Sequence, residues 1–286
     1  MADMLTLGIS PCPNDTFVFE AWINGRLGSD APPVSCCMQD ISTLNEMALE
    51  NRLDIVKVSF FAYAVLKEKY VLLNAGGAMG RGCGPLLVAR TGAVLPRDDA
   101  MQDVRVAVPG KWTTANLLLS LWKPHITRKV YMPFRDIMPA VARGAVEAGV
   151  IIHEGRFTFA GYGLSMIEDL GAWWEKTTGL PIPLGGIVAR RSLGTQVIGF
   201  VEETVRMSLQ RAWSQPEAVL PFMRLHAGEL DDRAITQHVA LYVNSYSQQY
   251  GAEGQQAIQE LLVRAASAAG AVIKGDEQQG HHSRNG

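Results

Sequence analysis

Short apolar runs that read as strands alternate with helical stretches along most of this chain, and that alternation confines it to an α/β fold. Strands are expected at residues 5–9, 34–38, 55–59, 71–74 and 86–89, with helices starting near Asp15, Thr43 and Phe60. A looser stretch at 92–103 then reads as a crossover between lobes. A second series follows: strand 104–108, helix 113–122, strand 129–132, helix 136–144 and strand 149–152. Pro181-Ile-Pro-Leu-Gly-Gly186 followed by Ile187-Val-Ala-Arg190 looks like a returning strand. From Gln196 onward the pattern is helical, with Pro216 suited to a first turn and later helices at 231–246 and 252–268. The expected architecture is two α/β lobes with a cleft between them. Residues 1–92 and 190–286 form the large lobe, 103–185 the inserted small one, and 275–286 a disordered tail.

Composition narrows the function classes. The formal net charge is −2 and no Lys/Arg block occurs, so neither nucleic acid nor an anionic membrane surface is an expected partner. No apolar run approaches membrane-spanning length. The first residues lack a basic segment followed by a long apolar core, and the four cysteines form no CxxC pair, so reduced thiols and the cytoplasm are expected. No HExxH or clustered carboxylate pattern implies a metal. A small-molecule partner is what remains; oligomeric state is left open.

Open α/β sheets bind ligands beyond the carboxyl ends of their strands. After the first strand comes Ser10-Pro-Cys-Pro-Asn-Asp-Thr-Phe17, where two prolines shape a rigid loop and Asn14, Asp15 and Thr16 can cap the following helix. Asn14 is therefore a candidate ligand contact, as is Ser59 at the end of the third strand. Thr113 and Thr114 open an apolar helix whose free amides suit a carboxylate, against the more frequent role of such residues as plain helix caps. Gly110, just upstream, permits close approach of a ligand. His153 ends a strand at a cleft-facing position and is the candidate for proton transfer, against the more frequent structural role of a lone histidine. Glu154 reads as a salt-bridge partner of Arg156. Asn45 lies in the first turn of a helix, either facing the cleft or solvated. The Gly-rich segment 76–85 precedes a strand and matches no phosphate loop, so it reads as a hinge at the cleft edge, with Arg81 a candidate anion contact. Trp173 and Trp174 either wall an aromatic ligand or pack. Cys12 is a rival nucleophile or an inward-packing residue.

Several of these segments together carry a resemblance: Gly8 to Phe17, Gly76-Gly77 with Gly80-Arg-Gly82, Val106 to Gly110 with Thr113-Thr114, Ile151-Ile-His-Glu154 with Arg156-Phe-Thr158, and Asp169 to Trp174. The chain resembles the 1,4-dihydroxy-6-naphthoate synthases of the futalosine route to menaquinone, from its N-terminus to about Tyr246. The resemblance implies a fold like type II periplasmic binding proteins. It also implies a lyase that converts cyclic dehypoxanthinyl futalosine to 1,4-dihydroxy-6-naphthoate and dihydroxyacetone without a metal or organic cofactor. The family's proposed base falls on His153, and its contacts to the aromatic carboxylate substrate fall on Asn45, Ser59, Thr113 and Thr114. The alternatives are a non-catalytic anion-binding protein of the same fold and the chorismate dehydratase of the same pathway, which lacks the Ser-Pro-Cys-Pro-Asn-Asp-Thr-Phe run.

Overall fold

The two series of strands build two sheets, and the chain passes between them twice. The computed structural model describes residues 4–96, 98–228 and 230–282. The first sheet begins with β1 (Leu5–Ile9), α1 (Pro13–Ile23), β2 (Val34–Met38), α2 (Ile41–Leu49), β3 (Ile55–Ser59), α3 (Phe60–Leu66), β4 (Tyr70–Leu72) and β5 (Ala78–Gly80). The second sheet takes β6 (Leu86–Arg90), β7 (Val106–Val108), α4 (Thr114–Trp122), β8 (Lys129–Tyr131), α5 (Phe134–Ala142), β9 (Ala148–Ile151), α6 (Gly155–Thr158) and β10 (Leu164–Asp169). After α7 (Leu170–Thr178), β11 (Ile182–Arg190) returns to the first sheet. Five helices follow: α8 (Gly194–Ser214), α9 (Pro216–His226), α10 (Asp232–Tyr242), α11 (Ser245–Gln248) and α12 (Gly251–His282).

Strand order is β2-β1-β3-β11-β4 in the first sheet, with β5 also on β11, and β10-β6-β9-β7-β8 in the second. Parallel pairing of β1 with β2 and β3 aligns their carboxyl ends, while β11 runs antiparallel to β3 with Gly185 opposite Ser59 and Ile187 opposite Lys57. Two lobe boundaries therefore differ from the sequence expectation. Strand β6 belongs to the second sheet, so the first crossover falls before residue 86 rather than at 92. Strand β11 starts at 182, so the inserted lobe ends before it rather than at 185. Helix α12 continues through 275–282, where a disordered tail was expected, and 283–286 lie outside the described residues.

Helix α1 positions the site. Its residues from Pro13 to Trp22 are all buried, because β2 lies on one side of it and α8, α9 and α10 on the others. A helix buried all round is normally apolar all round. Here Asn14, Asp15 and Glu20 are buried with it, and each needs a partner. One apolar cluster joins the sheets, with Phe60, Phe61 and Met79 packing alongside Leu87, Val106, Val150 and Trp174, and Leu261 of α12 closing over it.

Candidate active site

A cleft of about 640 Å³ lies where the carboxyl ends of β1, β3 and β9 meet the first turns of α1 and α4. Ser10, Asn14, Asp15, Lys57 and Ser59 line it from the first sheet; Thr113, Thr114, Ala115 and His153 line it from the second.

The first wall is an interlocked polar network. Cys12 caps α1 through its backbone alone, and Pro13 occupies the first turn, where a missing N–H costs nothing. Asp15 then collects four donors: Ser10 N at 3.1 Å, Ser10 Oγ at 2.7 Å, Asn14 Nδ2 at 2.8 Å and Lys57 Nζ at 2.7 Å. With its amide nitrogen given to Asp15, Asn14 presents Oδ1 to His238 Nε2 at 3.0 Å, which places the imidazole proton on that nitrogen. Nδ1 of His238 is left buried and, among the described residues, without a partner. Burial, then the neighbouring His153 and Lys57, hold His238 well below the ordinary histidine range, so it is neutral.

His153 supplies the opposite wall. It follows β9 at φ 54°, a left-handed conformation that costs a non-glycine residue about 1–3 kcal/mol and that directs its ring away from the strand's own path. The ring meets the edge of Phe134 at 5.2 Å and stacks on His238 at 6.1 Å with 19° between planes. Burial lowers its pKa from the usual imidazole value, against the upward pull of Glu154 and Asp15, and Lys57 adds to the lowering. An imidazole held in its free-base form and facing a cleft is suited to removing a proton.

Thr113 and Thr114 prove to be structural as well as cleft-lining. Thr113 is the N-cap of α4, its Oγ1 accepting from Asn116 N at 3.2 Å and donating to Gly110 O at 2.8 Å. Thr114 Oγ1 donates to Leu184 O at 2.7 Å, tying α4 to β11 across the cleft. What faces the cleft for an anion is thus the first turn of α4, with its amides and helix dipole, more than two free hydroxyls. Gly110 (φ 147°) has a backbone conformation that side chains rarely adopt, and a Cβ there would run into the side chain of Ser42.

The remaining sequence candidates divide. Asn45 is buried behind the wall: its Oδ1 accepts from Ser59 N at 2.9 Å, and its Nδ2 donates to Ser59 Oγ at 3.1 Å and to Trp112 O at 3.4 Å, so it holds Ser59 and bridges the lobes. Arg81 is not among the lining residues. It lies half exposed against Glu253 at 2.8 Å, with Glu175 at 4.0 Å, while Cys83, Gly84 and Pro85 of the same segment do reach the cleft. The expected hinge contains β5, which pairs with β11. Arg156 pairs with Asp169 at 3.0 Å, and not with Glu154, because α6 turns its guanidinium back toward the carbonyls of Gly82 and Gly84. Trp174 is core, donating to Pro181 O at 3.0 Å. Burial, with Glu154 next, pushes the Cys12 thiol far up, which disfavours the thiolate a nucleophile needs. Among the described residues no group of His, Cys, Asp and Glu could hold a metal ion.

Two residues of the site were not singled out from the sequence. Lys57 interrupts the apolar run of β3, a visible signal. His238 arrives from α10, and nothing in its local sequence sets it apart from a core histidine.

The menaquinone biosynthesis family model matches residues 5–267, into α12 and beyond the Tyr246 limit of the motif resemblance. A Thermus thermophilus relative named 1,4-dihydroxy-6-naphtoate synthase is 49% identical over 92% of this chain and 94% of its own. A crystal structure of an Archaeoglobus fulgidus protein superposes with a TM-score of 0.85 at 33% identity, covering 94% of this chain and 98% of that one. A Candida albicans gene product described as having the generic periplasmic binding protein structural fold superposes at 0.70 with 12% identity, covering 95% and 94%. The fold is of that type.

Proposed function

The chain belongs to the menaquinone biosynthesis family, and on that premise we propose that it is a carbon–carbon lyase converting cyclic dehypoxanthinyl futalosine to 1,4-dihydroxy-6-naphthoate and dihydroxyacetone. The observation that carries this reading is His153: a neutral imidazole, held at a strained backbone position, sharing a cleft with the first turn of α4. The substrate's aromatic carboxylate docks at that turn, where the helix dipole and free amides favour an anion. His153 then removes a proton from the sugar-derived portion. Negative charge develops on a substrate oxygen, the carbon–carbon bond breaks as that charge collapses, and the proton held by His153 returns to the departing three-carbon fragment. Aromatisation of the remaining ring drives the sequence forward. The bonds from Asn45 to Trp112 and from Thr114 to Leu184 hold the lobes together and exclude water.

The test is incubation of purified protein with the cyclic futalosine derivative, with no metal or cofactor added. Release of the naphthoate and of dihydroxyacetone supports the reading. Tight binding without conversion would make the chain a binding module, and consumption of chorismate instead would make it a dehydratase.

A further inference from the structure

We propose that Lys57 is a catalytic residue of this cleft, its ammonium stabilising the substrate oxygen that becomes negative when His153 takes the proton. The inference rests on the lyase reading above and adds to it the group that receives the charge.

Lys57 sits in β3, where every residue is buried, and is itself only 4% exposed. A lysine there is costly unless its charge is matched. Side chains alternate along a strand, so Ile55, Lys57 and Ser59 share the face toward α1, while Val56 and Val58 pack on the other side with Leu44 and Ala62. The stem of Lys57 runs past Gly185 on β11, where a Cβ would stand 3.1 Å from Cε. The neighbouring strand thus leaves a channel that leads the ammonium to the cleft wall.

There it meets Asp15 Oδ1 at 2.7 Å. Lysine has three N–H donors, and among the described residues Asp15 is the only acceptor for them. Two remain at the wall of the cleft. Asp15, meanwhile, is held by Ser10 and Asn14, so the ion pair cannot drift. A clamped cation with unspent donors at the wall of a cleft is the arrangement that stabilises a developing oxyanion. It differs in this from Arg105–Glu147, which lies on the surface and is not among the residues lining this cleft. The same positive charge favours the neutral, basic form of His153.

The experiment compares wild type with Lys57→Met and with the double variant Lys57→Met/Asp15→Asn. The double variant leaves no charge stranded, and so is the one expected to keep its Tm if the single variant does not. Both should lose about 100-fold or more in kcat, with substrate Kd changed by no more than about threefold. A double variant with near-normal kcat overturns the proposal, as does a rise in Kd with kcat unchanged. A second readout is independent of turnover. With 6-hydroxy-2-naphthoate as probe, the wild-type complex should show the ionised naphtholate absorbance at lower pH than the free probe, and the double variant should not. Equal titrations in the two proteins overturn the role of Lys57. A wild type that binds the probe but leaves the cyclic substrate intact ends the lyase reading alone, and the naphtholate comparison still decides whether Lys57 stabilises an oxyanion.

Discussion

The two walls of the cleft are built in opposite ways. On the first-sheet side Ser10, Asn14, Asp15 and Lys57 are almost fully buried, each bonded to another of the set, and anchored on a helix packed on every side. On the second-sheet side His153 is only partly buried, stands at a strained φ, and among the described residues touches its surroundings through ring contacts to Phe134 and His238 rather than hydrogen bonds. The difference separates two tasks. Stabilising a developing charge needs dipoles that do not reorganise, which rigidity supplies. Moving a proton needs an unsatisfied base, and a base already hydrogen-bonded to the protein would first have to give up that bond.

The comparison breaks most visibly at His153. Replacing it with Ala should lower kcat by about 10²–10⁴ while leaving substrate Kd close to wild type, because the ring acts on the transition state and the anion is held elsewhere. Steady-state kinetics with a separate binding titration checks this; near-normal turnover would take the base away from the second wall. The pH profile adds a sign. Burial lowers the folded-state pKa, so the base form persists below the usual histidine value of about 6.5, and the acid limb of kcat/KM should fall below that pH. A limb above it would mean that the carboxylates of Glu154 and Asp15 outweigh burial.

Asp15→Ala tests the rigid wall. Removing one partner strands the buried ammonium of Lys57 and the donors of Ser10, which should cost about 3–5 kcal/mol of stability. Urea unfolding measures it. A loss under about 1 kcal/mol would show that water reaches the pair, and the wall would no longer be rigid in the sense that oxyanion stabilisation requires.

The same contrast governs what was legible in the sequence. Strands β1, β2 and β3 coincide with their expected spans, because their apolar runs are bounded by turn residues. Strand β10 was not foreseen: it is an edge strand with a register shift after Met166, and its exposed Met166 and Ile167 break the alternation that marks a strand. Strand β6 was seen but assigned to the wrong lobe, since pairing partners lie far off in sequence. At the cleft, attention to strand ends found Ser10, Asn14, Ser59, Thr113, Thr114 and His153, all of which line it. The same rule passed over Lys57, which reaches the cleft from mid-strand along its own stem, and His238, which lies buried behind Asn14 and comes from a helix over 200 residues downstream. Long side chains and distant helices carry no local periodic signature.

Thr113 sharpens the comparison more gently. As N-cap of α4 it should cost about 1 kcal/mol when replaced by Val, seen as a lower unfolding midpoint. The substitution removes a hydroxyl that already serves Gly110 and Asn116, so kcat should hold and Kd should rise only as far as the first turn loosens. A Kd rise of tenfold or more, with stability unchanged, would instead make the hydroxyl a direct anchor for the substrate's carboxylate.

The smallest effect is expected at Arg81. Its charge lies in the segment that leads to Cys83, Gly84 and Pro85 at the cleft, and from sequence it was a candidate anion contact. In the fold its guanidinium turns outward to Glu253 and to Gly179 O at 2.9 Å, fastening the start of α12 to the end of α7. Exposed pairs of this kind are screened by water and salt. Arg81→Ala should therefore change substrate Kd and kcat by no more than about twofold. A selective Kd loss that fades at high salt would show that the segment swings inward over the substrate, giving the cleft a third, mobile wall that the two-walled description lacks.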